Sequence, residues 1–131
     1  MLRGLDVDIH EGDRVAVVGQ SGVGKSTFLH ILGTLDHPTS GSVRFRGEEV
    51  FARSRSALSA LRGWFIGFVF QFHHLLPEFS AIENVMMPGL IQGIGTEEMR
   101  ERGEAMLRDV GLSHRIDHAV GKLSGGERQR V

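Results

Sequence analysis

Apolar and polar positions alternate along Leu5, Val7 and Ile9 against Asp6, Asp8 and His10, which predicts a half-buried strand. Glu11-Gly12-Asp13 reads as a turn. Val15 to Val18 is a continuous apolar run ending at Gly19, the pattern of a strand buried on both faces in a parallel sheet. The period then changes. Over Lys25 to Leu35, Phe28, Ile31, Leu32 and Leu35 recur at helical spacing. Pro38 and Gly41 punctuate a loop from Asp36 to Gly41, and Val43 and Phe45 alternate with Ser42, Arg44 and Arg46 as a second half-buried strand. Ser54 to Arg62 predicts a short helix with Leu58 and Leu61 inward, and Ile66 to Phe70 a strand ending at Gln71.

The remainder is helical in pattern. Ser80 is placed to cap Ala81 to Met87, with Glu83 completing a capping box. Thr96 is placed to cap a further helix whose first turn holds Glu97 and Glu98. Its positions Met99, Met106, Leu107 and Val110 share a face, and Gly111 suits its C-terminal end. Strands with intervening helices, followed by a helical run, predict an α/β sheet with a helical subdomain.

Composition narrows the function. The 131 residues suit one domain. A net charge of -1 argues against nucleic-acid binding by bulk charge, and the absence of cysteine excludes disulfides, thiolate metal sites and cysteine nucleophiles. No apolar run approaches the roughly 18 residues of a membrane span. Met1-Leu2-Arg3-Gly4 has no signal-peptide core, so the expected address is the cytoplasm.

Between the apolar run and the first helix lies Gly19-Gln20-Ser21-Gly22-Val23-Gly24-Lys25-Ser26-Thr27, which fits G-x-x-x-x-G-K-[ST] in its strand-to-helix setting. Glycines allow positive φ and let backbone amides converge on phosphate oxygens. The helix adds its free amides and positive dipole end. Lys25 supplies a mobile charge for the β- and γ-phosphates, and the Ser26 hydroxyl a Mg²⁺ ligand. The loop by itself predicts a nucleoside triphosphate without naming the reaction.

The chain closes on Leu123-Ser124-Gly125-Gly126-Glu127-Arg128-Gln129-Arg130-Val131. Ser124 and Glu127 form a second capping box, and two glycines in the first turn leave backbone amides bare. Capping does not call for successive glycines, each of which weakens a helix by roughly 1 kcal/mol relative to alanine.

With Phe70-Gln71 ending a strand between them, these segments resemble the phosphate loop, Q-loop and signature of ABC transporter ATPases, in order and over the whole chain. The resemblance implies an α/β P-loop NTPase fold: a RecA-like core sheet, an antiparallel β subdomain and a helical subdomain. On that reading 1–71 hold the β subdomain and phosphate-loop core, and 72–131 a helical subdomain ending at the signature helix. It implies ATP and Mg²⁺ as cofactors, with Gly19 to Thr27 binding ATP, and Ser26 and Gln71 binding Mg²⁺. Gln71 would also address the attacking water. The implied partners are a second copy, closing head to tail so that Ser124, Gly125, Gly126 and Glu127 meet its ATP, and integral membrane subunits. No nucleic-acid partner is implied.

The stretch Phe70 to Pro88, with Gly33 to Gly41, is similar to the ATPases of lipoprotein-releasing systems of Gram-negative bacteria, with macrolide-export and cell-division ATPases as near relatives. That implies a peripheral protein on the cytoplasmic face of the inner membrane. A non-transport ABC ATPase, or a catalytically silent nucleotide-binding fragment, are the alternatives.

His73 and His74 are expected as surface contacts near the membrane-subunit dock rather than metal ligands, and the His114/His118 pair lacks matching co-ligands. Phe68, Phe70 and Phe72 read as core packing, and Arg53, Arg55 and Arg62 as a solvated face. No apolar run ending in Asp-Glu occurs, and the family's catalytic glutamate, switch histidine and adenine-stacking aromatic have no counterpart in this sequence. The sequence is therefore expected to be incomplete at its C-terminus, aggregating or loosely packed because of exposed apolar sheet edges, and unable to turn over ATP appreciably alone. Phosphate release abolished by Lys25→Ala would overturn that last expectation.

Overall fold

A computed structural model describes residues 2–131; Met1, part of the N-terminal reading above, lies outside the described residues. The chain folds as two compact units that divide between Gly67 and Phe68.

In the first unit, the predicted turn forms: Asp13 N–H donates to the His10 carbonyl at 3.1 Å, and His10 N–H to Asp13 Oδ2 at 2.7 Å. The flanking segments join no ladder, contrary to the strands expected at Leu5 to Ile9 and Val15 to Val18. Val15 and Val18 are 55% and 85% exposed. Alternation encodes a capacity to pair, and a ladder exists only where a second edge is aligned with it. The strand expected at Ile66 to Phe70, across the boundary of the two units, is unpaired for the same reason.

The only paired strands among the described residues are β1 (Arg44–Phe45) and β2 (Glu48–Glu49), antiparallel, with Arg44 opposite Glu49 and Phe45 opposite Glu48. Their two-residue turn places both Arg46 (φ 52) and Gly47 (φ 82) in the left-handed region, as a primed hairpin turn requires. The strained Arg46 gains compensation from its guanidinium, 5.4 Å and 5.3 Å from the ring centres of Phe45 and Phe65.

Helix α1 (Lys25–Leu32) stops short of Leu35. Thr34 takes the left-handed position that usually suits glycine (φ 60), where its N–H bonds the Ile31 carbonyl and Leu35 N–H bonds that of His30. Helix α2 (Arg55–Phe65) begins at Ser54, whose side chain accepts from Ala57 N–H, and it buries Leu58 and Leu61 against Val50. It also corrects the reading of Arg62 as a solvated residue. Arg62 Nη1 donates to the buried Thr34 at its carbonyl (2.9 Å) and Oγ1 (3.2 Å), latching the end of α1 to α2.

The second unit is built on two successive helices packed on each other and the segment packed on them. Helix α3 (Ala81–Ile91) starts with the Ser80–Glu83 capping box predicted from spacing, and it runs through Pro88 rather than ending at Met87. Tertiary packing overrides the proline: Ile82, Met86 and Gly89 are buried in this helix, and a Cβ on Gly89 would lie 2.2 Å from Met99 Sδ. Helix α4 (Thr96–Asp109) is entered from Gly95, so Thr96 is its first residue and not its cap. Met99 and Leu107 face the core, whereas Met106 and Val110 are 54% and 39% exposed, narrowing the predicted apolar face. Gly111 closes α4, donating to the Arg108 carbonyl while Leu112 N–H reaches that of Leu107. Phe68 and Phe70 are not core residues either; they stack on each other at 5.2 Å, with Phe72 68% exposed.

The latch is open to test. Arg62→Ala strands a buried carbonyl and should cost about 1–3 kcal/mol, while Arg55→Ala on the exposed face should stay within about 0.5 kcal/mol, as read from urea midpoints.

Candidate functional site

The phosphate-loop residues lie in the first unit. Gly24 is the N-cap of α1 at φ 109, a conformation that a side chain would strain, and Gly22 is also left-handed at φ 80. No side chain caps this helix start, so its first amides face an open depression lined by Ser21, Gly22, Gly24, Lys25, Ser26 and Thr27. Lys25 Nζ donates to the Gly19 and Gln20 carbonyls at 2.7 Å and 2.8 Å. Among the described residues no carboxylate pairs with it, so its charge is solvated by dipoles and uncompensated. A helix start with no side-chain cap, its positive dipole end and an ammonium without a carboxylate partner around one depression fit a polyphosphate, and the exposed Ser26 hydroxyl at its wall fits a hard cation that accompanies one.

Gln71 and the segment Ser124 to Glu127 lie in the second unit. Gln71 is exposed, and the carbonyl of its neighbour Phe70 accepts from Gln129 Nε2 at 3.2 Å. The His74 and Phe70 rings meet at 90°, with centroids 5.2 Å apart. Helix α5 (Gly125–Arg130) begins with the capping box predicted from sequence: Ser124 Oγ accepts from Glu127 N–H at 3.3 Å, and Glu127 Oε2 from Ser124 N–H at 2.7 Å.

Two contacts on Glu127 were not legible in its motif. Arg115 Nε donates to Oε1 at 2.9 Å, and His114 Nε2 lies 3.9 Å from the same oxygen. The only available signal was that a capping box uses one carboxylate oxygen and leaves the second open. The Ser124 amide, then its hydroxyl, then Arg115 hold the Glu127 carboxyl down at about 2, from an ordinary 4.5. The segment before the helix is itself anchored, since the His118 and Ile116 carbonyls accept from Ala81 and Ile82 at the start of α3, both at 3.0 Å.

The family described as ABC transporter matches residues 2–131. The Lipoprotein-releasing system ATP-binding protein LolD of Geobacter metallireducens is 57% identical over all of this chain and 58% of its own length. The protein of the same name from Syntrophus aciditrophicus is 56% identical, over 59% of its length. The chain thus spans less than two thirds of these curated relatives. A solved ATP-binding cassette, described as a dimer in a post-hydrolysis state bound to ADP and Pi, matches with TM-score 0.86 and 38% identity, over 95% of this chain and 55% of its own.

A lowered carboxyl fixes the direction of a pH effect. Because Glu127 titrates lower in the folded chain than when unfolded, its cap stabilises the fold above pH 4.5 and is lost as pH falls toward about 2. A carboxyl-carbon NMR titration of Glu127 should show a midpoint near 2, and the Ser124 amide resonance should move with it.

Proposed function

The chain belongs to the ABC transporter family and has its P-loop cassette fold, and from that premise we propose that it is the ATP-binding part of a transporter ATPase that couples ATP binding and hydrolysis to release of lipoproteins from the bacterial inner membrane. Its partners are a second copy in head-to-tail contact and integral membrane subunits that hold it at the cytoplasmic face. Among the described residues no helix is long and apolar enough to cross a membrane.

The observation that carries this reading concerns Gly125 and Gly126. Neither has a positive φ, and a Cβ on either would meet nothing within 4 Å. Each weakens the helix by roughly 1 kcal/mol relative to alanine, with no return from packing or turn geometry in this chain. Bare backbone at a helix start is then accounted for by a group from outside, and the γ-phosphate of ATP on a second copy's Lys25 is that group.

In this scheme Gly19 to Thr27 wrap the phosphates with backbone amides, and Lys25 exchanges its two carbonyl partners for phosphate oxygens. Ser26 and Gln71 would hold Mg²⁺, which when bound neutralises charge on the β- and γ-phosphates. Gln71 orients water toward the γ-phosphate. Ser124, Gly125, Gly126 and Glu127 form the opposing wall, so ATP joins two copies and its hydrolysis removes the joint.

Lys25→Ala should weaken Mg-ATP binding about tenfold to a hundredfold in calorimetry, as the loss of a charge-assisted contact predicts. Gly126→Val should leave that affinity within about twofold yet abolish ATP-dependent self-association in sedimentation. Undiminished association of Gly126→Val, or co-purification with DNA or ribosomes in place of membrane subunits, would sink the reading.

A further inference from the structure

Glu127 is gripped from two sides. Oε2 accepts from the Ser124 amide at 2.7 Å within its own helix start, while Oε1 accepts from Arg115 Nε at 2.9 Å, a residue outside that helix. The Glu127 side chain is 13% exposed and that of Arg115 35%, so this pair is better shielded than the other ion pairs among the described residues. Arg115 Nη1 in turn stands 3.2 Å from His118 Nε2. His114, 64% exposed, lies farther off, 3.9 Å from the same Oε1.

A capping box needs none of this. Ser124 and Glu127 satisfy two orphan amides by themselves, and a carboxylate with a free second oxygen lets the short helix pivot about its cap. Arg115 removes that freedom. Its turn, Ser113–Arg115, runs into the segment whose Ile116 and His118 carbonyls bond the first amides of α3. A continuous set of bonds therefore runs from α3 through this segment to Arg115, Glu127 and Ser124. Arginine suits the post because its planar fork reaches Glu127 with Nε and His118 with Nη1 together, which a single ammonium cannot do in that geometry.

We propose that Arg115 is the positioning residue of the Ser124–Gly126 segment: acting through Glu127, it fixes the orientation in which that segment receives the nucleotide carried by a second copy. This rests on the function proposed above. A purely structural ion pair would lower the melting temperature of the chain without changing how its folded molecules associate.

The test compares Mg-ATP-dependent self-association of the full chain by sedimentation velocity, with Mg-ATP affinity and folded fraction measured on the same samples. Arg115→Gln should weaken association about tenfold or more, as expected for a charged hydrogen bond, and leave nucleotide affinity unchanged. Arg115→Lys should recover part of the loss. Glu127→Gln keeps a capping side chain but loses the ion pair, and the double variant should be no worse than the more impaired single one, since both act along one route. Hydrogen exchange at the Ser124 amide should quicken in Arg115→Gln; should that variant not fold, Arg115→Lys carries both comparisons. Association of the unsubstituted chain with no change in the Arg115 variants overturns the positioning role alone. Absence of nucleotide-dependent association in the unsubstituted chain overturns it together with the function on which it rests.

Discussion

An α-helix begins with amide donors that its own carbonyls cannot reach, and the fate of those donors organises this chain. Three helix starts answer the constraint in three ways. At α1 glycines replace any capping side chain, so the donors and the dipole stay available beside Lys25. At α3 they are consumed internally, by the Ser80–Glu83 box and by the Ile116 and His118 carbonyls. At α5 a box of the same chemistry caps the helix, but its first turn is Gly125-Gly126 and its backbone remains approachable. The first start suits a ligand, the second a docking contact, and the third holds itself while leaving room for something else.

Packing then decides how rigidly each start is held. The close approach of α3 and α4 depends on Gly89 and Gly103, where a Cβ would fall 2.2 Å from Met99 Sδ and 2.8 Å from Ile82 Cδ1. That contact seats Ile82, Met86, Met99 and Leu107 in one core with Leu112 and Leu123. Leu123 directly precedes Ser124, so the residue before the third helix start is fixed by the core of its unit. In the other unit, Arg62 gives α1 a fixed end by holding Thr34, a β-branched residue in a left-handed conformation that it would rarely adopt unaided.

The features read correctly from sequence are those whose physics is closed within a few residues. The capping boxes at Ser80 and Ser124, the turn at Glu11-Gly12 and the glycine end of α4 each need only neighbours three to five positions away. The misreadings have a common origin as well. Val15 to Val18 has strand composition, but a strand is a relation between two segments. The helix read as Ala81 to Met87 runs on through Pro88, because burial of Gly89 against Met99 outweighs the local cost of the proline. Arg62 reads as solvated by its residue type, and Phe68, Phe70 and Phe72 as core by their alternation, while their actual surroundings depend on what lies opposite.

By itself the sequence determined the chemical vocabulary of the protein: a glycine loop ending in Lys25 and Ser26, a glutamine at position 71, and a capped helix start with two glycines. These are patterns of backbone permissiveness and local hydrogen bonding, and they are set before any tertiary contact forms. Only the three-dimensional structure decided that Lys25 has two carbonyls and, among the described residues, no carboxylate, that Thr34 depends on Arg62, and that Arg115 takes the free oxygen of Glu127. The last two pair groups 28 and 12 positions apart, which no short-range pattern links, and there burial and packing select which of many possible partners comes within reach.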